Sequence, residues 1–277
     1  MVVLLAKQAP VGIILRRGPT RWWQVTHWST RRDVFQSGQW FHGRIYPEKC
    51  DISPDGKLWA YFAAKFGRPY SSPHSDSWTA VARPPYLTAL ALWPIGGAYG
   101  GNGVFIGDRT IMIGCSGPER HHPDHPPGPL QVLPWDQNNP RLIRSYDAGW
   151  EGGRDTVKRS ADLVLEREFP MGHYFPSRTP TPYLLSNKTG EPIAQFDAHW
   201  ADWDQQGRLV ATAGGRVVAG KLTRDRKRLV WRQLADLHEE KPTRLEAPDW
   251  AQQWGPVPRR LRRVLHFPYK RKRGSAK

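Results

Sequence analysis

The chain has 277 residues, with 41 Lys+Arg against 25 Asp+Glu and a net charge of +16. Its 39% hydrophobic and 12% aromatic residues exclude a disordered chain, because that much apolar surface offsets chain entropy. Two cysteines, Cys50 and Cys115, exclude a disulfide scaffold and a four-cysteine zinc site, and no apolar run approaches the roughly 18–20 residues of a membrane-spanning helix.

From the start of the chain, Val2–Leu5 and Val11–Leu15 are short apolar runs broken by Lys7 and Pro10. They read as β-strands, not as the continuous apolar core of a secretory signal. A cytoplasmic protein with reduced cysteines is therefore expected, in which the sequon Asn187-Lys188-Thr189 has no role. Gly96 to Gly103 is rich in glycine, but a phosphate loop needs a following helix and a Lys. Here Val104-Phe105-Ile106 follows, so the run reads as a turn. Val104 to Ile113 then reads as a hairpin, with Gly107 and Asp108 supplying the tight-turn backbone angles. Two more hairpins are expected at Tyr183 to Phe196 and Leu222 to Trp231, the latter around the charged stretch Thr223 to Arg228. Gly117 to Pro129 and Gly149 to Ser160 read as excursions from the core. With 26 prolines, helices have little room. The two that fit are Ala247 to Trp254 and Arg259 to His266.

Candidate chemistry is sparse. His121, His122, Asp124 and His125 carry ligand types suited to zinc, but neighbours in a proline-rich loop are poorly placed to surround one ion. Cys115, ahead of that loop, reads as a structural thiol. Neither Asp202 with Asp204 nor Glu166 with Glu168 is distinguishable from turn-capping or surface charge. No catalytic residue and no cofactor-binding residue is assigned, and no cofactor is expected. The charge itself is uneven. From Arg259 to Lys277 there are nine basic residues and no acid, which leaves +7 on the first 258. Arg259, Arg260, Arg262, Arg263, Lys270, Arg271, Lys272 and Arg273 are the candidate contacts of this tail with nucleic acid or an acidic protein.

Two segments resemble each other. Cys50-Asp51-Ile52-Ser53-Pro54-Asp55-Gly56-Lys57-Leu58-Trp59-Ala60-Tyr61 aligns with Ala201 to Thr212, so that Asp51 meets Asp202, Gly56 meets Gly207 and Leu58 meets Leu209. Each reads as a strand, a polar turn closed by Gly, and an apolar strand; Asp51, Asp55, Gly56, Asp202, Asp204 and Gly207 are the expected turn residues. The Asp-x-Ser-Pro-Asp-Gly stretch resembles the blade hairpin of WD40-like and TolB-like β-propellers. Ser145 to Trp150 partly resembles the Asp-box of sialidase-like propellers. The chain also resembles uncharacterised bacterial propeller-like proteins through Arg16-Arg17-Gly18-Pro19, Gln39 to Tyr46 and Ala89 to Pro94.

That resemblance implies an all-β fold: one β-propeller-like domain of about five or six blades over residues 1–258, followed by a basic tail over 259–277. Most of the 14 tryptophans then pack between blades. The function expected is a non-catalytic scaffold for protein–protein interaction. The alternatives are a nucleic-acid accessory protein using the tail and a propeller hydrolase with a central-channel site.

Overall fold

The computed structural model describes residues 1–67, 76–98, 100–114, 117–136, 153–160, 162–169 and 179–256. Among these residues the chain forms five sheets in sequence order. The first contains β1 (Val2–Leu5), β2 (Val11–Arg17), β3 (Trp22–Ser29) and β4 (Val34–His42). In the second, β5 (Arg44–Ile45) and β6 (Asp51–Ile52) both pair with β7 (Trp59–Ala64), which leads to β8 (Ser77–Ala82) and β9 (Ala89–Pro94). The third has β10 (Gly103–Phe105), β11 (Thr110–Ile113) and β12 (Gln131–Pro134). The fourth has β13 (Gly153–Ser160), β14 (Leu163–Phe169), β15 (Thr181–Asn187) and β16 (Pro192–Ala198). The fifth has β17 (Trp200–Trp203), β18 (Leu209–Ala213), β19 (Arg216–Leu222) and β20 (Leu229–Asp236). Adjacent strands run antiparallel, except for the parallel pair β11 and β12. The fold is therefore nearly all-β, built from consecutive up-and-down strands.

Sheets covered on both faces need strands that are apolar on both faces, and β7 meets that need: all six of its residues are buried. Side chains alternate sides along a strand. Trp59, Tyr61 and Ala63 accordingly pack against Ile13, Leu15 and Val25 of the first sheet. Ala60 points the other way, into a cluster with Phe105, Ile111 and Ile113 of the third sheet. The fourth and fifth sheets join through Leu165, Tyr183, Leu185, Ala201, Trp203 and Leu209. The fifth then packs on the first, through Trp200, Val210 and Val217 against Val3, Ile14 and Trp28.

After β20 the chain runs back across the molecule as a belt. Leu237 donates its N–H to Gly215 O at 2.9 Å, and Gln39 Nε2 donates to Leu245 O at 2.9 Å. Ala247 and Ala251 bury against Tyr86, whose ring meets Trp250 edge-on at 5.6 Å. Trp254 packs on the cluster between the second and third sheets.

The three expected hairpins and the two opening strands are present, at β10–β11, β15–β16, β19–β20, β1 and β2. Two expectations need correction. Only Asp249–Gln252 is helical within Ala247 to Trp254, because Pro248 and Gln253 on either side are extended and the belt turns its carbonyls outward to other segments. Gly153–Ser160 is a strand and not an excursion; it pairs along its length with β14 despite its polar composition. The expected helix at Arg259 to His266 and the basic tail lie outside the described residues, as do Cys115 and Ser145 to Trp150. Cys50 is a buried free thiol. Among the described residues no helix is long and apolar enough to cross a membrane.

Candidate functional site

The turn that ends β6 is held by side chains. Ser53 N–H donates to Leu58 O at 2.8 Å, and Leu58 N–H donates to Ser53 Oγ at 3.0 Å. The Asp55 carboxylate accepts from Ser53 Oγ at 2.9 Å and Lys57 N–H at 3.2 Å. Gly56 has φ +72, and a Cβ there would stand 3.0 Å from Val11. The turn after β17 is shorter. Asp204 Oδ1 accepts from the N–H groups of Gln206 and Arg208, both at 2.9 Å, and Gly207 also has φ +72. Asp51 and Asp202 lie in strands and not in the turns. Asp51 Oδ2 accepts from Phe105 N–H at 2.9 Å and so ties the second sheet to the third. Asp202 Oδ1 accepts from Trp203 N–H at 2.6 Å.

Each turn has a second copy with little sequence likeness. At Thr223 to Arg228, Thr223 N–H donates to Arg228 O at 2.9 Å and Asp225 accepts from Thr223 Oγ1 and Lys227 N–H, which is the Ser53 pattern with Arg226 at φ +57 in place of Gly56. At Asn187, Oδ1 accepts from Thr189 N–H at 3.0 Å and Glu191 N–H at 2.9 Å, which is the Asp204 pattern.

The turn after β17 also latches the fifth sheet to the first. Arg208 holds Asp33 with two bonds of 2.8 Å, Asp204 at 2.8 Å and Thr30 O at 2.9 Å. Gln205 Nε2 donates to Ala6 O at 2.6 Å and Val11 O at 3.0 Å, while its Oε1 accepts from Thr30 Oγ1 at 2.9 Å. Hydrogen bonds to Asp33 and then Asp204 hold the Arg208 pKa above its ordinary value, against burial. Burial pushes the Asp33 carboxyl up, but the bonds and charge of Arg208 outweigh it and hold that pKa below the usual carboxylate range.

At the other end of the first sheet, the structure brings together the runs Arg16 to Pro19 and Gln39 to Tyr46. The β2–β3 turn closes with Gly18 N–H donating to Trp22 O at 2.9 Å. A Cβ on Gly18 would fall 2.7 Å from the Trp40 ring, so only glycine admits the indole there. Trp22 pairs with His42 across β3 and β4, ring centroids 4.9 Å apart. The Arg16 guanidinium lies over Trp40 at 5.6 Å, and Arg44 lies over Tyr46 at 4.6 Å. Arg17, Arg21, His42 and Arg44 are exposed. Among the described residues no carboxylate pairs with Arg17, Arg21 or Arg44. Arg16 is buried instead, donating to His238 O at 2.6 Å and Glu240 O at 3.2 Å. The Glu240 carboxylate accepts from Gln24 Nε2 and from Ser37 Oγ at 2.8 and 2.9 Å.

Other ionisable groups are tied into the frame. Burial pushes the Glu48 carboxyl up to about 7 and lowers the pKa of Lys49. Lys49 Nζ donates to Ala98 O at 2.8 Å and Gly100 O at 3.1 Å, fastening the glycine run. Burial pushes the Cys50 thiol up, and its Sγ–H donates to Tyr46 O at 3.1 Å, so it is no nucleophile. His122 and His125 dock on β9, where His122 N–H donates to Leu92 O at 2.8 Å and Leu92 N–H donates to His125 O at 3.1 Å. Their rings are 5.7 Å apart, the Asp124 carboxylate is 3.9 Å from His122 Nδ1, and His121 Nδ1 lies 3.3 Å from His122 O. Among the described residues no three His, Cys, Asp or Glu side chains gather as metal ligands do. Sequence reading missed Asp33, Arg208, Glu240 and the cation–ring pairs; the clustering of Arg and Trp at Arg16 to Trp23 was the one local signal for the last of these.

No protein-family profile matches the chain. No curated protein matches it. Among solved structures it is similar to the crystal structure of the uncharacterised protein lmo1340 from Listeria monocytogenes EGD-e, at 10% identity and a TM-score of 0.30 over 87% of this chain and 84% of that one.

Proposed function

We propose that the chain is a non-catalytic, propeller-like binding module of five blades that serves as a scaffold for an acidic protein partner. Support for the ring comes from the order of interfaces: first to second, second to third, fourth to fifth, and fifth back to first. The observation that carries the binding role is the arginine–aromatic edge. Arg17, Arg21 and Arg44 are exposed on the segments that carry the Trp22–His42 pair, and among the described residues none of the three is within ion-pair distance of a carboxylate, so an acidic surface would gain charge-assisted bonds and ring contacts together there.

The same edge favours a second reading. Guanidinium groups and open ring faces also suit the phosphates and bases of single-stranded nucleic acid, a role the basic tail would extend. One experiment separates the two. Tagged full chain and an R17E/R21E/R44E variant are used to isolate partners from the native cell, with and without nuclease. The scaffold reading expects a stoichiometric protein that survives nuclease and is lost in the variant. Nuclease-sensitive nucleic acid lost in the variant would favour the second reading, and identical recovery by both chains would remove the edge from either role.

A further inference from the structure

Each sheet ends on an outer strand that its own sheet bonds on one side only: β4, β9, β12, β16 and β20. Such edges invite pairing with another chain, and proteins blunt them. On β4, Gln39 N–H donates to Pro85 O at 3.1 Å. On β9, Leu92 forms two backbone bonds with the loop at His122 and His125. β12 stops at Pro134 after four residues, and β16 opens on Pro192. Proline blunts an edge because it has no N–H to offer. β20 has none of these devices. It runs for eight residues without proline, and its only strand partner among the described residues is β19.

The phase of the hydrogen bonds fixes which backbone groups face outward. Thr223 N–H donates to Arg228 O at 2.9 Å, so these two form a bonded pair at the mouth of the hairpin. Bonded and non-bonded pairs alternate along antiparallel strands. Lys221 with Val230 and Ala219 with Arg232 are therefore bonded pairs, and Leu229, Trp231 and Gln233 turn their N–H and C=O groups to the free edge. The irregularity at Val217/Val218 lies past Gln233 and leaves this register intact. Among the described residues no backbone group from outside the sheet bonds to those three. Side chains alternate as well. Leu229 and Trp231 pack with the fourth sheet, where the Trp231 ring meets Phe196 edge-on at 4.9 Å and holds the strand in place. Arg228, Val230 and Arg232 share the other face and are all exposed, Val230 to 58%.

The charge of the edge selects its occupant. Lys221 to Arg232 holds six basic residues and one acid, Asp225, whose carboxylate is taken up by Thr223 Oγ1 and Lys227 N–H. Among the described residues no carboxylate pairs with Lys221, Arg224, Lys227 or Arg228. A second copy of β20 would bring arginines beside arginines, and the basic residues of 259–277 would do the same. We propose that β20 is a docking edge for an acidic segment of a partner protein, which adds to the fifth sheet as an antiparallel strand. Its backbone bonds with Leu229, Trp231 and Gln233. Carboxylates two residues to either side of an apolar residue meet Arg228 and Arg232, and the apolar residue covers Val230. This edge belongs to the fifth sheet and not to the arginine–aromatic edge of the first, so the inference does not depend on the scaffold reading.

The test uses the full chain and a fluorescein-labelled peptide with the core Glu-Thr-Val-Thr-Glu, followed by fluorescence anisotropy at low ionic strength. Saturable binding is expected. N-methylation of both peptide threonines removes the N–H groups that face β20 and should weaken binding about tenfold, as should R228E. Lysine in place of both peptide glutamates should abolish it, and R17E/R21E/R44E should leave it unchanged. The methylated peptide is read on the parent chain, so that outcome does not depend on how any variant folds. Equal binding of the methylated peptide means attraction by charge alone and overturns strand addition. Loss in R17E/R21E/R44E with retention in R228E moves the peptide to the first sheet and overturns the site. A chain that dimerises in sedimentation and becomes monomeric with Q233P gives the edge to a second copy, and the absence of saturable peptide binding overturns the proposal outright.

Discussion

The first sheet meets two neighbours, and it meets them with different chemistry. Towards the second sheet it presents Leu4, Val11, Ile13, Leu15 and Val25, which interlock with Trp59, Tyr61, Ala63 and Ala80. Towards the fifth it presents Val3, Ile14 and Trp28, but charge and amide groups frame that patch: Arg208 with Asp33 and Asp204 at one end, Arg16 with the belt carbonyls at the other. The apolar flank gains from burial of area and is indifferent to direction. The polar flank gains from geometry, since a guanidinium with two matched carboxylates is satisfied in one orientation only. Stability is concentrated in the first interface and alignment in the second.

Four substitutions test that division, from the most to the least damaging. Trp59→Ala empties the centre of the apolar flank and also removes the indole bond to Tyr86 O at 2.9 Å. A loss of about 3–5 kcal/mol is expected in denaturant unfolding; a loss near that of an exposed site would refute the concentration of stability there. Arg208→Met leaves Asp33 with only the exposed Arg232 and Asp204 with only its backbone donors, and should lose about 1–3 kcal/mol at pH 7. Because the folded pKa of Asp33 is depressed, its contribution is complete above the unfolded value near 4 and is lost as pH falls through the folded value. The gap between parent and R208M should therefore narrow below about pH 4, while Trp59→Ala keeps its full deficit. Equal gaps at both pH values would sink the assignment of Asp33 to Arg208.

Glu240→Ala frees the belt from Ser37 and Gln24 at a cost of about 1 kcal/mol. Limited proteolysis should then cut between residues 238 and 248 faster than in the parent, with the sheets left intact. Arg232→Ala removes a 3.3 Å contact with Asp33 from an exposed side chain and should cost about 0.2–1 kcal/mol. A larger loss would mean that Asp33 depends on both arginines.

Local features were legible in the sequence and distant pairings were not. Gly56 and Gly207 marked their turns because φ +72 favours glycine. The matching turn at Thr223 to Arg228 carried no such mark, since Arg226 takes the left-handed angle itself, supported by the Asp225 bonds. Strand β13 hid because Gly-Arg-Asp-Thr-Val-Lys-Arg-Ser has no apolar alternation, and its register comes from pairing with β14. Asp51 looked like a turn residue by alignment with Asp202, yet its partner is Phe105, 54 residues on. The arginine–aromatic edge was half visible: both runs that build it stood out, but only the β3–β4 register brings Trp22 against His42.

Each sheet is made from one unbroken stretch of chain, so the first sheet exists long before the fifth. Arg208 follows Asp33 by 175 residues. A ribosome adds about 5–20 residues per second, so the emerging sheet waits roughly 9–35 s for its last neighbour. Its greasy flank is covered early, by residues that follow within the next few dozen positions. The flank left waiting is edged with Arg16, Gln24, Thr30 and Asp33, which water can serve in the meantime. The division of chemistry between the two flanks thus matches the timetable of synthesis, and the nascent chain keeps its stickiest surface exposed for the shortest time.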